Sequence, residues 1–461
     1  MRMRSIPVLR LLLAMCSMSS LLSLSTLRAR VWSVSRASQS YGRVRVSLSP
    51  DSRFTSTSTS TTALSATVGP PAPSHPQSQS PSPLCTAATP NPHLLSVAPM
   101  MEYTDRHQRR LQRLICKEAV LYTEMVTTNA IVRGDAMRFL QADLPAEEPL
   151  VLQLGGSDPE QMRVAAGLAV GVGYREININ VGCPSEKVAG AGCFGAALML
   201  NPPLVAELAL AVSSQTNCPA TVKCRIGVDD RDSYEELVAF VRTVSEKGNV
   251  GHFIVHARKA VLNANFSPHD NRSIPPLRYD FVTRLTADFP HLEFTLNGGV
   301  QSVAQAKAIL LETPRLRGVM VGRAVVNAPF SWSDADSEIY GKKDGGISRR
   351  DILQTYAAYC DAEEARIGPR ITRTLIKPVL NLFHAEPKGK LFRNIIDTFL
   401  KENKGGGAMS AGDMLLTASG CIDEWVLDAR SNDTAYGMRG SSSSSSSSIN
   451  SSSSKEVAAG I

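Results

Sequence analysis

The sequence predicts an α/β chain: a TIM-type (β/α)8 barrel followed by a C-terminal all-helical domain. Three observations carry this. From His93 onward, short apolar runs alternate with amphipathic segments, the pattern of repeated βαβ units. There are eight such runs, and each passes directly into glycine or polar residues. After Pro329 the strand-like runs stop and the chain reads as helices.

The runs predict strands over 94–98, 120–125, 150–154, 176–181, 220–224, 252–255, 292–296 and 318–321. Their followers include Pro99-Met100-Met101, Gly155-Gly156, Gly182-Cys183-Pro184, His256-Ala257-Arg258, Asn297-Gly298-Gly299 and Gly322-Arg323. Special residues at every strand end suit the active face of a barrel. A doubly wound open sheet would show a single switch-point crevice instead. Beyond the barrel, helices are expected over 351–365, 371–383, 391–402 and 411–429.

The net charge of +7 is unevenly spread: residues 1–101 hold nine Arg and one acid, Asp51, a net of +8, which leaves about −1 for the rest. A polyanion contact in the folded part therefore needs a local basic patch. Residues 8–24 are apolar and serine-laced, and 25–100 are rich in Arg, Ser, Thr and Pro. That composition fits a removable organellar targeting segment, with a plastid favoured and a mitochondrion as the alternative. No run of 18 apolar residues occurs, so no membrane span is expected. The nine cysteines include no CxxC pair or zinc-type spacing, so neither a disulfide framework nor a metal site is expected. The predicted divisions are 1–92, a targeting segment and polar linker; 93–335, the barrel; 345–432, the helical domain; and 433–461, a serine-rich tail.

The centre of the site is the stretch Ile177-Asn178-Ile179-Asn180-Val181-Gly182-Cys183-Pro184. Its first half alternates with period two, and Pro184 cannot donate to a sheet ladder, so the strand ends at Gly182. Cys183 is thus presented at a strand's C-terminal end. No His–Asp pattern marks it as a thiolate nucleophile. A thiol with an ordinary pKa of about 8.5 is mostly protonated at neutral pH and can act as an acid. Cys193 and Cys224 read as small packing residues.

Asn297-Gly298-Gly299 and Gly322-Arg323 end the last two strands, where barrels commonly bind phosphate, and Arg323 would add a charge-assisted contact. Lys223 lies inside an apolar strand: pointing inward it implies a bound anion or electron-rich ring, pointing outward an ion pair with a helix. His256 suits a ligand contact or a structural role equally. Gln153 either offers its amide to a heterocycle edge or caps the sheet. The stretch Lys377, Lys388, Lys390 and Arg393, interleaved with Phe383 and Phe392, reads as a nucleic-acid patch or as a solvated helix face over two core rings.

Together these motifs closely resemble the tRNA-dihydrouridine synthase family, in particular its A-type branch. The matching segments include Ala98-Pro99-Met100-Met101, Leu121–Thr128, Gln153-Leu154-Gly155-Gly156, Asn180–Ser185, Val222–Gly227, His256–Ala260, Asn271-Arg272, Asn297–Gly299 and Val321–Arg323. The resemblance implies an FMN-binding barrel and a helical tRNA-binding domain, acting as a monomer. It implies NADPH as reductant, FMN hydride delivery to C6 of D-loop uridines 20 and 20a of tRNA, and Cys183 as the proton donor to C5. Pro99, Met100, Met101, Gln153, Lys223, His256, Asn297, Gly298, Gly299, Gly322 and Arg323 would hold FMN. Asn180, Arg272, His269, Lys388 and Arg393 would contact tRNA. The chain departs from the family pattern at Glu102-Tyr103, at Val261 and at His269, where a lysine is usual, which weakens one expected phosphate contact. A reductase of free pyrimidines would share the flavin site but leave the helical domain unexplained. An RNA chaperone would need neither Cys183 nor Lys223.

Overall fold

Alternation of inward and outward residues builds the barrel, interrupted in one strand by a register shift. The computed structural model describes residues 91–430 apart from 186–187, 189–193, 264, 344–345 and 404–408. The predicted targeting segment before residue 91, the serine-rich tail and Cys193 lie outside the described residues. The strands are β1 (Leu95–Val97), β2 (Val120–Thr127), β3 (Leu150–Gly155), β4 (Ile177–Val181), β5 (Ala220–Arg225), β6 (His252–His256), β7 (Glu293–Asn297) and β8 (Gly318–Val321). They close in sequence order, all parallel. The predicted strands match to within two residues at each end, and β2 runs past a register shift between Tyr122 and Met125.

One set of alternate residues packs against the helices: Ile177, Ile179 and Val181 on β4, Ala220, Val222 and Cys224 on β5, Phe253 and Val255 on β6. The other set fills the barrel. Part of it is apolar, with Ala98, Val120, Tyr122, Val151, Ile254 and Met320 in one cluster. The rest is polar, with Asn178, Asn180, Thr221, Lys223, Thr295 and Asn297. Between strands, side-chain caps start the helices. Asp105 accepts from the N–H groups of His107 and Gln108, Asp158 from Glu160 and Gln161, and Ser233 forms a capping box with Glu236.

The C-terminal region is helical, with two corrections. The helix predicted over 371–383 is three short pieces, Pro369–Ile371, Thr372–Ile376 and Lys377–Asn381, because Pro378 removes a donor and tightens the turn. The helix predicted over 411–429 splits into Ala411–Ser419 and Glu424–Asp428, broken after Gly420, a poor helix former. The other two, Arg349–Ile367 and Gly389–Glu402, lie where expected. This region shares its core with the barrel. Leu111 and Ile115 of the helix Arg106–Ile115, and Phe330, belong to the same cluster as Leu353, Tyr356, Phe383 and Phe392. Arg349 is fully buried there, 3.8 Å over the Phe330 ring, and donates to Glu386 at 2.6 Å. Among the described residues no helix is long and apolar enough to cross a membrane.

Candidate active site

The inward asparagines of β4 hold the Cys183 loop. Asn180 Oδ1 accepts from the N–H groups of Gly182 at 3.1 Å and Cys183 at 3.0 Å. Its Nδ2 donates to Gln153 Oε1 at 2.9 Å, and Gln153 Nε2 donates to Asn178 Oδ1 at 2.8 Å. Asn178 continues to Thr221 Oγ1 at 3.0 Å, and Thr221 to Glu176 Oε1 at 3.1 Å. A chain of side-chain hydrogen bonds thus runs from the barrel floor to the thiol's backbone. On the far side, the Cys183 carbonyl accepts from Ala196 N–H at 2.9 Å. Gly195 makes that approach possible: its φ is +66°, and a Cβ there would sit 2.5 Å from the Cys183 oxygen. Cys183 itself is half-buried, within electrostatic reach of Lys223, Arg225 and Arg272.

Lys223 points into the barrel. Its Nζ donates at 3.0 Å to Asn297 Oδ1 on β7, two strands away, which settles the pleat in favour of the inward alternative. Asn297 Nδ2 in turn donates to the Met320 carbonyl at 2.8 Å. Burial, then the charge of Arg225, pushes the Lys223 ammonium down to about 8. Burial, followed by Arg225, Lys223, Arg258 and Arg323, pushes His256 well below the ordinary imidazole range, so its ring is neutral. Gly298 lies against that ring: with φ at +115°, a Cβ would meet His256 Cδ2 at 2.6 Å. Tyr279 OH donates to the Gly298 carbonyl at 2.5 Å and fixes the turn. Around Gly322 the nearest atom to an added Cβ is Met100 Sδ at 3.6 Å, so room is left beside Arg323.

Of the remaining predicted cofactor residues, Pro99 and Met100 are half-buried and Met101 is 55% exposed at the rim. Their loop is tied by Thr104 Oγ1, which accepts from Met100 N–H at 2.9 Å, and by the Glu102 N–H bond to the Glu124 carboxylate. Gln153 is deeply buried, with its amide engaged by both asparagines of β4. On the rim, Arg323 Nη2 donates to the Arg272 carbonyl at 3.4 Å, which brings these two predicted residues together. His269 is exposed beside Asp270, at 3.6 Å. Lys388 and Arg393 lie apart on the helical region; Lys388 is paired with Asp423, and Arg393 is half-buried. Lys377 stands 5.1 Å from the exposed Tyr103 ring, joining that region to the barrel rim.

Three structural partners of the site escaped the sequence reading. Arg225 is buried and donates to the carbonyls of Gly182 at 3.1 Å, Lys259 at 3.2 Å and Asn271 at 2.9 Å, so one guanidinium fastens two active-face loops. Asn271, fully buried, clasps Val261 by accepting from its N–H at 2.7 Å and donating to its carbonyl at 2.9 Å. Asn178 links Gln153 to Thr221. The available signal was parity: Arg225 and Lys223 share a strand face, as do Asn178 and Asn180.

Comparison with known proteins agrees with this geometry. Residues 96–414 match the family described as dihydrouridine synthase (Dus). The tRNA-dihydrouridine(20/20a) synthase of Vibrio parahaemolyticus is 45% identical over 307 residues, 66% of this chain and 90% of that protein. The enzymes of the same description from Synechocystis and Escherichia coli K12 are each 44% identical, over 66% and 67% of this chain and 88% and 86% of their own lengths. A match over more than half the chain, with relatives this similar covered almost end to end, places it: the chain belongs to the dihydrouridine synthase family.

Proposed function

We propose that this chain reduces the C5–C6 bond of D-loop uridines in tRNA, at positions 20 and 20a, with NADPH as reductant and FMN as resident cofactor. One observation carries the reading: a thiol anchored through its own backbone shares the barrel face with a cationic, glycine-lined pocket. The activity of the relatives and the family match support it.

The residues present fit FMN. Lys223 and Arg323 offer positive charge, the neutral His256 offers a lone pair or a donor, and the backbone at Gly298, Gly299 and Gly322 carries no side chain to obstruct a ring or a phosphate. Pro99, Met100, Met101, Gln153 and Asn297 would complete the lining. When bound, FMN supplies the hydride that adds to C6 of the base. Cys183 supplies the proton at C5, and Asn180 holds it for that step. Arg225 locks the loop against the neighbouring segment 259–272. The uridine must leave its stack to enter the barrel mouth, because the ring is unreachable while paired or stacked. Arg272 and His269 at the rim and Arg393 and Lys388 on the helical region suit the tRNA backbone.

The arginine-rich, acid-poor N-terminal composition supports delivery to an organelle, a plastid ahead of a mitochondrion, and we propose that the chain acts as a monomer. The deciding experiment pairs Cys183→Ala with the wild-type chain. The variant is expected to purify yellow and to form dihydrouridine about 10²–10⁴ times more slowly. Equal rates reject Cys183 as the acid, and a colourless protein that takes up no flavin rejects the whole reading.

A further inference from the structure

At the opposite end of the barrel from the reaction face, three residues from distant segments converge. His93 precedes β1, Glu176 immediately precedes β4 and His252 opens β6. One potential ligand atom from each lies within 4.8 Å of the other two. His93 Nε2 is 3.3 Å from Glu176 Oε2, and the two imidazole rings meet edge-on with centroids 5.1 Å apart. β1, β4 and β6 are not neighbours in the closed barrel, so the group bridges across the barrel's floor.

An ion pair between His93 and Glu176 explains only part of this. It leaves out His252, a buried ring fixed in orientation by a 2.8 Å bond between its Nε2 and Thr295 Oγ1. It also leaves two buried polar atoms with no partner among the described residues, His93 Nδ1 and the Tyr122 hydroxyl. Tyr122 is 1% exposed and lies within electrostatic reach of Glu176. Buried polar atoms are ordinarily satisfied, so a floor with two orphans beside a His–Glu–His group calls for a further occupant.

We propose that His93, Glu176 and His252 bind one divalent transition ion of the zinc class. Two imidazoles and one carboxylate with a free fourth position form a zinc donor set, and they are too poor in oxygen for calcium or magnesium. Tetrahedral zinc holds its donors about 3.4 Å apart, so the widest pair must close by roughly 1.4 Å, within reach of side-chain rotation. The hydroxyls of Thr221 and Thr295 orient Glu176 and His252, as outer partners of metal ligands do. The His93 and Glu176 side chains keep 11% and 16% exposure, which gives an ion a path in. The bound ion braces three non-adjacent strands at the end of the barrel that serves stability rather than chemistry.

The test uses the untagged full-length chain, stripped with a chelator and titrated with Zn²⁺ by calorimetry and with Co²⁺ by visible absorption. The expected result is one ion per chain with a Kd at or below about 1 μM, a tetrahedral Co²⁺ spectrum and a raised Tm. His252→Gln and Glu176→Gln should each weaken binding at least about a hundredfold and abolish the spectrum. His93→Gln, at the solvent edge of the cluster, repeats the test should either variant fail to fold. Absence of saturable binding, a millimolar Kd, or affinity unchanged in the folded variants overturns the proposal.

Discussion

Asn180 and Cys183 are joined by a 3.0 Å hydrogen bond from the Cys183 N–H to Asn180 Oδ1, and the same oxygen takes the Gly182 N–H at 3.1 Å. The thiol is therefore aimed by an amide rooted inside the barrel. Asn180→Ala should leave flavin content unchanged and slow dihydrouridine formation by about a hundredfold, the cost of a small misplacement of a reacting group. Asn180→Asp keeps the acceptor and loses the donor to Gln153, and its rate should fall between the two. Rates for Asn180→Ala equal to wild type would show that the loop aims itself.

Lys223 should make the proposed flavin pocket pH-sensitive. Its ammonium is pushed down to about 8 from an ordinary 10.5. Above about 8 the folded site loses its charge while the unfolded chain keeps it. The unfolded state then binds more protons, so this group's contribution to stability rises with pH between about 8 and 10.5. Binding of an anionic flavin should run the other way and weaken through the same inflection. Flavin titrations from about pH 6.5 to 9.5 should show that inflection in the wild-type chain and none in Lys223→Met.

Gly298 cannot carry a side chain without displacing His256. Its φ is +115°, and a Cβ would lie 2.6 Å from the ring. Gly298→Ala should lower stability by about 1–3 kcal/mol and release flavin. Denaturant unfolding and the visible spectrum of the purified variant check both effects.

Arg349 ties the barrel to the helical region. It is buried between the Phe330 ring and Glu386. Arg349→Met takes the buried guanidinium away from Glu386 and the Phe330 ring and should cost about 3–5 kcal/mol, part of which Glu386→Gln in the same chain restores. Equal Tm values for wild type and Arg349→Met would remove this pair from the account of stability.

Deleting the helical region is a poor test of tRNA binding, because it would also strip Leu111, Ile115 and Phe330 of their packing. Single charges are cleaner. Arg393→Glu should weaken tRNA binding and reduce the salt slope by about one unit or more. Lys388→Ala should do less, since Asp423 already pairs with that ammonium. Filter binding across a salt series distinguishes them.

Much of the active face was legible because a barrel is a repeated local pattern. Period-two alternation placed Asn178 with Asn180 on one face, whereas the direction of Lys223 is decided only by its bond to Asn297. The glycine, proline and polar residues after each run marked the reaction end. The short helices between 369 and 381 were illegible for a local reason: the apolar pattern continued through Pro378 although the hydrogen-bond ladder could not.

What the sequence alone determined was the order of strands, which residues of a strand share a face and the edge where Cys183 stands, since all three follow from spacing along the chain. Only the tertiary structure decided which inward residues meet. Lys223 reaches Asn297 across β6, His93 finds Glu176 and His252 at the starts of non-adjacent strands, and Phe330 joins a core built mainly by later helices. Those contacts depend on how the strands tilt and stagger when the sheet closes on itself, a quantity that no local stretch of sequence encodes.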